Sequence, residues 1–235
     1  MRSILVSAML ITFCFGHGKT GHRIVGQIAE SLLSDQAKHK IDQLLGHHRL
    51  AYIGNWADEM RSNPEWRHAS PWHYVDLPAG TDYQKSEKNP KGDIIAKIIE
   101  FTNVLKSNQS DQISKENALR FLIHFIADLH QPLHVGNGKD QGGNAVKVTW
   151  FGESSNLHRV WDSDLIDDEQ LSYSEYSEKL TILYNDQFNE WKNSELMDWV
   201  KESQALHESV YDIGNGKLGY DYIYKNKTIS EKRLA

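Results

Sequence analysis

Apolar residues recur at helical spacing through most of this 235-residue chain, and that periodicity predicts a mainly α-helical fold. In the clearest run, we expect Ser114 to cap a long helix that ends near Pro132. Ser172 and Glu175 form a capping-box pattern at the start of another helix. Only residues 145–151 alternate as a strand does. The sequence therefore predicts one all-α domain with at most a small β-hairpin.

Three more helices follow from apolar spacing and from cap residues. Ser34 can cap a helix that Gly46 ends, and an apolar face runs from Ile94 to Leu105. A last clear helix is expected at about residues 195–211. No composition break, repeat or proline-rich linker divides the chain, which supports the single-domain interpretation.

The first 16 residues have the pattern of a secretory signal peptide. Arg2 precedes an apolar run of roughly a dozen residues, too short to span a bilayer, and polar sequence starts directly after Gly16. We therefore expect residues 1–16 to be removed from a secreted or periplasmic protein whose mature domain, residues 17–235, starts at His17. Cys14 would leave with the signal, so the mature chain would have no disulfide.

The charge balance excludes a generally basic surface for gripping nucleic acid. Lys and Arg number 26 against 32 Asp and Glu, for a formal net charge of -6. A phosphate-binding site in such a chain must be built locally. Twelve histidines with one cysteine instead indicate histidine-based chemistry, such as metal ligation. No segment after the signal is long and apolar enough to cross a membrane.

Imidazoles and carboxylates recur at short spacings that suit metal ligation. His124 and Asp128 are four residues apart on the expected long helix, so both point from one face. His134 follows the end of that helix, where the chain can turn its imidazole back. His158 and Asp162 repeat the four-residue spacing. Taken alone, each such pair is more often a surface or structural hydrogen bond.

The whole set is more informative than any pair within it. Its members lie among apolar and Trp-rich neighbours, where unpaired charge would be costly to bury. Neutral imidazoles and carboxylates are the ligands that Zn²⁺ accepts when thiols are missing. A cluster of metal ions therefore accounts for the set, which comprises His22, His73, His124, His134, His158, Asp58, Asp128 and Asp162.

In this order the set resembles the zinc-dependent single-strand nuclease family of the S1/P1 type, which shares a fold with bacterial zinc phospholipase C. The resemblance runs from His17 to about Tyr224. It implies a helical domain that holds three Zn²⁺ ions at the bottom of a cleft. The motifs that carry it are His22, Trp56-Ala-Asp58-x-x-Arg61, Trp72-His73, His124-x-x-x-Asp128, His134 and His158-x-x-x-Asp162.

The resemblance also implies how the ligands are shared. It assigns Asp58, His73 and His124 to the first ion, Asp128 as a bridge from that ion to the second, His22 to the second, and His134, His158 and Asp162 to the third. In this family the mature N-terminal residue, normally Trp, also binds the second ion through its amine and carbonyl. Here that residue is His17, and we expect its imidazole to add to the carbonyl or compete with it.

Five further roles concern the substrate. We expect Asp58 to orient the attacking water and Arg61 to neutralise charge on the phosphoryl oxygens, although a structural salt bridge would also explain Arg61. By resemblance, Tyr74 would stack on an unpaired base and Asp76 would bind its edge. Tyr74 would equally suit core packing, and Asn144 would suit either the cleft border or a simple turn. The implied substrates are single-stranded DNA or RNA and 3′-nucleotides, with 5′-phosphorylated products.

Two alternatives stay open at this point. One is a zinc-dependent phospholipase C on the same framework, which Asp162 and the five-residue spacing from His17 to His22 disfavour. The other is a catalytically impaired zinc-binding relative. Residues 228–235 resemble the first turns of a C-terminal helix that family members extend, so we expect this helix to be truncated. We expect a monomer.

Overall fold

A computed structural model describes residues 17–235; the expected signal peptide, residues 1–16, lies outside the described residues. Helices dominate this part of the chain. In chain order they are α1 (Lys19–Ser31), α2 (Asp35–Leu45), α3 (Leu50–Ile53), α4 (Trp56–Met60), α5 (Ile94–Lys106), α6 (Gln112–His130), α7 (Leu157–Arg159), α8 (Leu165–Asp167), α9 (Tyr173–Tyr184), α10 (Phe188–Trp191), α11 (Leu196–Ala205), α12 (His207–Val210) and α13 (Tyr220–Leu234). Short 3₁₀ segments occupy Pro64–His73, Tyr83–Lys85 and Pro132–His134, and Val160–Asp164 is π-helical.

The long helix α6 begins at Gln112, two residues before the serine that the sequence indicated as its cap. Asp111, not Ser114, is its cap, since the Asp111 carboxylate accepts the backbone N–H of Ser114 at 2.8 Å. The expectation that Ser114 caps the helix was therefore wrong, because Asp111 stands one position before the first helical residue with an extended backbone. The helix ends at His130, just before Pro132, as expected.

The other caps follow the sequence signals. Ser34 accepts the N–H of Ala37 at the start of α2, and Gly46 ends that helix with a φ of 63°. Ser172 and Glu175 form the expected capping box of α9. The helix expected at residues 195–211 is instead two helices, α11 and α12. The C-terminal helix α13 begins at Tyr220, well before residue 228.

Two small sheets complete the fold. The expected hairpin pairs β3 (Lys147–Trp150) with β4 (Glu153–Asn156), and β5 (Lys217–Leu218) joins β3 in parallel. A separate parallel pair joins β1 (Val75–Asp76) to β2 (Val135–Gly136). The mainly helical class is confirmed. The two parallel pairings are additions that no sequence pattern indicated, since β1, β2 and β5 have only two residues each.

The core surrounds α6 on several sides. Phe121 and Phe125 of α6 pack against α5 and Trp72, whereas Ile24 and Tyr176 bring α1 and α9 together. Each fully buried side chain of this size contributes about 1.5–3 kcal/mol. Packing on this scale fixes α6 as the support for the polar cluster beside it. No helix within residues 17–235 combines the length and the apolar character that crossing a bilayer requires.

Candidate metal centre

Helix α6 carries the two side chains at the middle of the site. His124 and Asp128 are one turn apart and fully buried, and His124 Nε2 lies 3.1 Å from Asp128 Oδ2. Phe121 and Phe125, on the adjacent side of the same helix, pack into the core and fix its rotation. The four-residue spacing therefore does bring both polar groups into one space, as the sequence predicted.

Asp58, His73 and His124 form the first of three groups whose ligand atoms lie within 4.8 Å of one another. Asp58 stands on α4, and its Oδ1 lies 3.7 Å from His124 Nε2 and 3.9 Å from His73 Nδ1. His73 ends the 3₁₀ segment Pro64–His73. Its Nδ1 lies 3.0 Å from Asp128 Oδ2, so Asp128 adjoins this group.

His22, His124 and Asp128 form the second group. His22 stands on α1 with its Nε2 3.3 Å from Asp128 Oδ1. The chain after α3 passes close behind it: a Cβ added at Gly54 would lie 3.0 Å from the His22 carbonyl oxygen. Glycine at this position therefore permits the close approach by which the Gly54 carbonyl accepts a hydrogen bond from His124 Nδ1 at 2.7 Å.

His134, His158 and Asp162 form the third group, and all three are buried. His158 Nε2 lies 3.0 Å from Asp162 Oδ2, and His134 Nε2 lies 4.0 Å from Asp162 Oδ1. The rings of His134 and His158 stack with centroids 5.0 Å apart. The π-helical segment Val160–Asp164 carries Asp162, and such irregular turns are frequent at functional sites.

Gln131, whose side chain contacts Asp162 of the third group, was not identified from the sequence. Gln131 is fully buried and donates from Nε2 to Asp162 Oδ1 at 2.5 Å. Its Oε1 accepts the backbone N–H of Leu133, also at 2.5 Å. The sequence did contain a signal for this residue, because Gln131 is a polar amide among mostly apolar neighbours between the expected ligands Asp128 and His134.

Backbone carbonyls fix the orientation of most of the histidines. A carbonyl oxygen can only accept, so an Nδ1 in hydrogen-bond contact with one must carry the proton. In the neutral form of such a ring, Nε2 is then the nitrogen that can bind a metal ion. This arrangement holds for His17 with Ala127, His124 with Gly54, His134 with His73, and His158 with Gly142, at 2.6 to 2.8 Å.

Several buried polar atoms of the centre have no hydrogen-bond partner. They are both ring nitrogens of His22, Nε2 of His73 and His134, and Oδ1 of Asp128. Each unsatisfied buried group costs about 1–3 kcal/mol, so such a concentration needs a compensating ligand. Divalent cations satisfy nitrogen and carboxylate donors together, and no thiol is required. The residues present therefore fit metal ions.

Burial keeps most imidazoles of the centre neutral. It lowers the pKa of His22 and of His73 below the usual range, and it lowers the pKa of His134 to about 4. These three side chains are therefore uncharged at neutral pH. Neutral imidazole is the form that binds metal ions.

The carboxylates and His124 behave differently. Burial opposes charge on His124, yet Asp128 and Asp58 raise its pKa to about 9. Burial likewise opposes charge on these two carboxylates, but the neighbouring imidazoles, His124 above all, hold the pKa of each below its usual value. Burial raises the pKa of Asp162 to about 7, against the opposing effect of His158. Two permanent negative charges thus lie at the middle of the centre.

The residues expected to meet the substrate surround the centre less tightly. Arg61 Nη1 lies 3.3 Å from Asp58 Oδ1, both side chains being mostly buried. Tyr74 is 38% exposed, and Asp76 lies two residues further, on β1. Partial desolvation raises the pKa of Asp76. Asn144 is buried, and its amide donates to the Gln141 carbonyl at 2.9 Å.

His17 lies inside the centre but belongs to none of the three groups. Its ring is edge-on to that of His22 with centroids 6.3 Å apart. Burial lowers its pKa well below the usual value. The Nδ1 bond to the Ala127 carbonyl leaves Nε2 as the lone-pair nitrogen of this imidazole.

The fold and the site together define a helical protein with a buried polynuclear His/Asp metal-binding centre. Residues 17–235 match the sequence model of the family described as S1/P1 Nuclease. The chain belongs to the S1/P1 nuclease family, whose members are metal-dependent hydrolases of phosphodiester bonds.

Named relatives agree with this assignment. Endonuclease 4 of Arabidopsis thaliana is 35% identical over 265 residues, which cover 99% of this chain and 89% of the relative. Nuclease S1 of Aspergillus oryzae is 28% identical over 261 residues, covering 96% of this chain and 89% of the relative. Nuclease P1 of Penicillium citrinum is 29% identical over 197 residues, which cover 78% of this chain and 72% of the relative.

Proposed function

We propose that this protein is a secreted endonuclease that uses three Zn²⁺ ions to cut single-stranded DNA or RNA. The products would carry 5′-phosphates, and 3′-nucleotides would also be substrates. The observation that carries the proposal is the concentration of buried, unpartnered ligand atoms in three adjoining His/Asp groups. The names Nuclease S1 and Nuclease P1 of two relatives support the nuclease chemistry.

The proposed ligand sets follow the three groups. Asp128 would be shared between the first and second ions, which its central position supports: His22 and His73 approach different oxygens of this carboxylate, at 3.3 and 3.0 Å. The proposed ligands are Asp58, His73, His124 and Asp128 for the first ion, Asp128, His22 and main-chain atoms of His17 for the second, and His134, His158 and Asp162 for the third.

Divalent ions in these positions would supply Lewis acidity toward water and phosphate oxygens. Asp58 lies at the edge of the buried centre, with its side chain 9% exposed against 0% for Asp128. It is therefore the carboxylate that a water can reach, and we assign it the orientation of that water. Arg61, beside it, offers planar N–H donors that match phosphoryl oxygens and would neutralise charge there.

The single-strand preference would come from recognition of an unpaired base. Tyr74 directly follows the ligand His73 and offers part of its ring to solvent. Stacking on such a ring requires a base that is not already stacked and paired inside a duplex. Asp76 would bind the edge of the same base, and its partial burial raises the pKa of its carboxyl. Asn144 would border this base site.

The proposal ties activity to export. The amine of His17 exists only if the chain is cleaved after Gly16, so removal of residues 1–16 would complete the second ligand set. We assign the nuclease domain to residues 17–235, and we propose that it acts as a monomer outside the cytoplasm.

A substrate panel tests the proposal. Metal-loaded protein is incubated with single-stranded DNA, RNA, 3′-AMP and phosphatidylcholine, with and without chelator, and in parallel with an Asp128→Asn preparation that controls for contaminating nucleases. We expect chelator-sensitive cleavage of the nucleic acids and of 3′-AMP. Cleavage that resists the chelator would exclude the mechanism. Turnover of the lipid alone would favour the phospholipase C alternative.

A further inference from the structure

Gln131 occupies a position that the ligand set alone does not explain. It is the residue that directly follows α6, and its backbone N–H donates to the Asp128 carbonyl at 3.0 Å. Pro132 follows and restricts the backbone on the other side. The backbone of Gln131 is therefore bonded to the same helical turn that carries Asp128, and its side chain extends from there to Asp162.

The orientation of the Gln131 amide is set by its neighbours. The N–H of Leu133 can only donate, so the atom facing it must be the oxygen Oε1, and the nitrogen Nε2 must face Asp162. Both contacts are 2.5 Å and the side chain is fully buried. Water therefore does not compete for either bond, and the amide cannot rotate without losing both.

The two oxygens of Asp162 consequently have different environments. Oδ1 accepts the short bond from Gln131, whereas Oδ2 faces His158 Nε2 at 3.0 Å. His134 Nε2 is 4.0 Å from Oδ1. An oxygen that already accepts an amide N–H is a poorer and more hindered metal ligand than a carboxylate oxygen without such a donor. Asp162 therefore presents one oxygen to the group.

We propose that Gln131 is a positioning residue that makes Asp162 a one-oxygen ligand and so sets the metal preference of the third group. Two imidazoles and a single carboxylate oxygen give the few-ligand, nitrogen-rich environment that suits Zn²⁺ and Co²⁺. A second carboxylate oxygen would favour ions that accept more oxygen ligands, such as Mn²⁺. The inference rests on the metal centre of the proposed function and goes beyond it to the selection of the ion.

Cobalt(II) is the probe, because its visible absorption reports the coordination number. The protein is stripped of metal with chelator and titrated with Co²⁺, and Mn²⁺ is then added in competition. The test variant Gln131→Met keeps the volume of the side chain but removes the donor to Asp162. The matched control is Gln204→Met, since Gln204 also donates from a partly buried amide, at 2.7 Å to the Leu77 carbonyl, away from the three groups.

We expect Gln131→Met to bind one of its Co²⁺ equivalents about 10- to 100-fold more weakly, the usual cost of losing an outer partner of a metal ligand. The visible absorption of that equivalent should fall as its coordination number rises, and less Mn²⁺ should be needed to displace it. Gln204→Met should match the wild type. Unchanged affinity, spectrum and Mn²⁺ competition in Gln131→Met would overturn the inference.

A second variant protects the test against misfolding. Gln131→Glu has nearly the same shape and, when its carboxyl is ionised, lacks the donor and adds a carboxylate oxygen. In that form it should also raise the preference for Mn²⁺ over Co²⁺. A preference equal to that of the wild type would count against the proposal. Wild-type protein that binds no Co²⁺ would overturn the proposed metal centre as well, which distinguishes the two failures.

Discussion

The imidazole rings of His22 and His124 stack in the buried centre, with centroids 3.9 Å apart and planes 14° from parallel. They come from helices about 100 positions apart in sequence, and both face Asp128. Burial lowers the pKa of His22, whereas the carboxylates raise that of His124 to about 9, so His124 must release its second proton before its Nε2 can bind a metal ion. Neither nitrogen of His22 has a hydrogen-bond partner. A cation between the ring nitrogens and Asp128 would satisfy all three groups.

The central position of Asp128 leads to the first prediction. Asp128→Asn keeps the shape of the side chain but removes the charge next to His22 and His124. We expect the metal affinity of the groups that include Asp128 to fall by at least about 100-fold. Loss of a residue that only hydrogen-bonds a metal ligand costs up to about 100-fold, and loss of a ligand should cost at least as much. Activity should fall by at least the same factor. Elemental analysis of equilibrated protein and initial rates on single-stranded DNA measure both quantities.

A buried aspartate outside the centre provides the control. Asp93 caps α5 and accepts from Tyr83, so Asp93→Asn should lower stability without changing the metal content. Equal metal content in wild type and Asp128→Asn would contradict the central role of Asp128.

Removal of metal leads to the second prediction. Ions that bind only the folded chain stabilise it by RT ln(1 + [L]/Kd), about 4 kcal/mol for each site at a thousandfold excess over Kd. We therefore expect chelation to lower the unfolding midpoint by about 10 °C or more in a chain of this size, and added Zn²⁺ to restore it. Differential scanning calorimetry gives both midpoints. A midpoint that does not respond to the chelator would argue against a loaded centre.

Much of this centre could be predicted from local spacing. The four-residue steps from His124 to Asp128 and from His158 to Asp162 place each pair on one face of a helical turn. In the structure the histidine Nε2 lies 3.1 Å from the aspartate Oδ2 in the first pair and 3.0 Å in the second. His134 was expected to turn back after Pro132, and it does join the third group. Local periodicity is sufficient here because each pair lies within one helical segment.

The remaining features depend on contacts between segments that are distant in sequence. Gly54 and Gly142 contribute carbonyl oxygens to His124 and His158, and a backbone atom leaves no residue-type signal. The parallel pairing of Val75 with Val135 depends on tertiary packing, because two-residue strands are too short to show alternation. The Asp111 cap was missed because Ser114 is an equally good cap residue three positions later.

Base recognition leads to the third prediction. Tyr74→Ala should weaken the binding of single-stranded substrates by roughly 5- to 150-fold, which corresponds to 1–3 kcal/mol of stacking, and should appear mainly in KM. Tyr74→Phe should retain most of the affinity, because its ring still stacks. Tyr224→Ala is the matched control, since Tyr224 is 90% exposed on α13. An unchanged KM in Tyr74→Ala would remove Tyr74 from the base site.

The mature N-terminus leads to the fourth prediction. Protein that begins at His17 should bind one metal equivalent more than protein with a single Gly added before it, because the extension moves the amine away from His22. Elemental analysis and N-terminal sequencing check this together. His17→Ala keeps the amine, so it isolates the imidazole, whose Nδ1 is already bonded to the Ala127 carbonyl. Full metal content in the extended protein would exclude the amine as a ligand.

The charge network that joins α9 and α13 leads to a prediction about pH. Glu169 contacts Lys179 at 2.7 Å and also pairs with Lys227, and Lys179 reaches Glu231 on α13 at 2.8 Å. Burial opposes charge on Glu169, but the two lysines lower its pKa overall. A depressed carboxyl pKa contributes stability above the unfolded pKa of about 4.5 and loses it as the pH falls through the folded value.

We therefore expect Glu169→Gln to be less stable than the wild type at pH 7, and we expect the difference to shrink as the pH falls below about 4.5. The difference at pH 7 should be at most about 1 kcal/mol, since solvent screens the network. Chelated protein should be used, so that metal release does not contribute to the pH dependence. Glu87→Gln, an exposed carboxyl in the loop before α5, controls for the general change in net charge. A stability difference that persists unchanged from pH 7 to pH 3 would mean that Glu169 acts through packing and not through its charge.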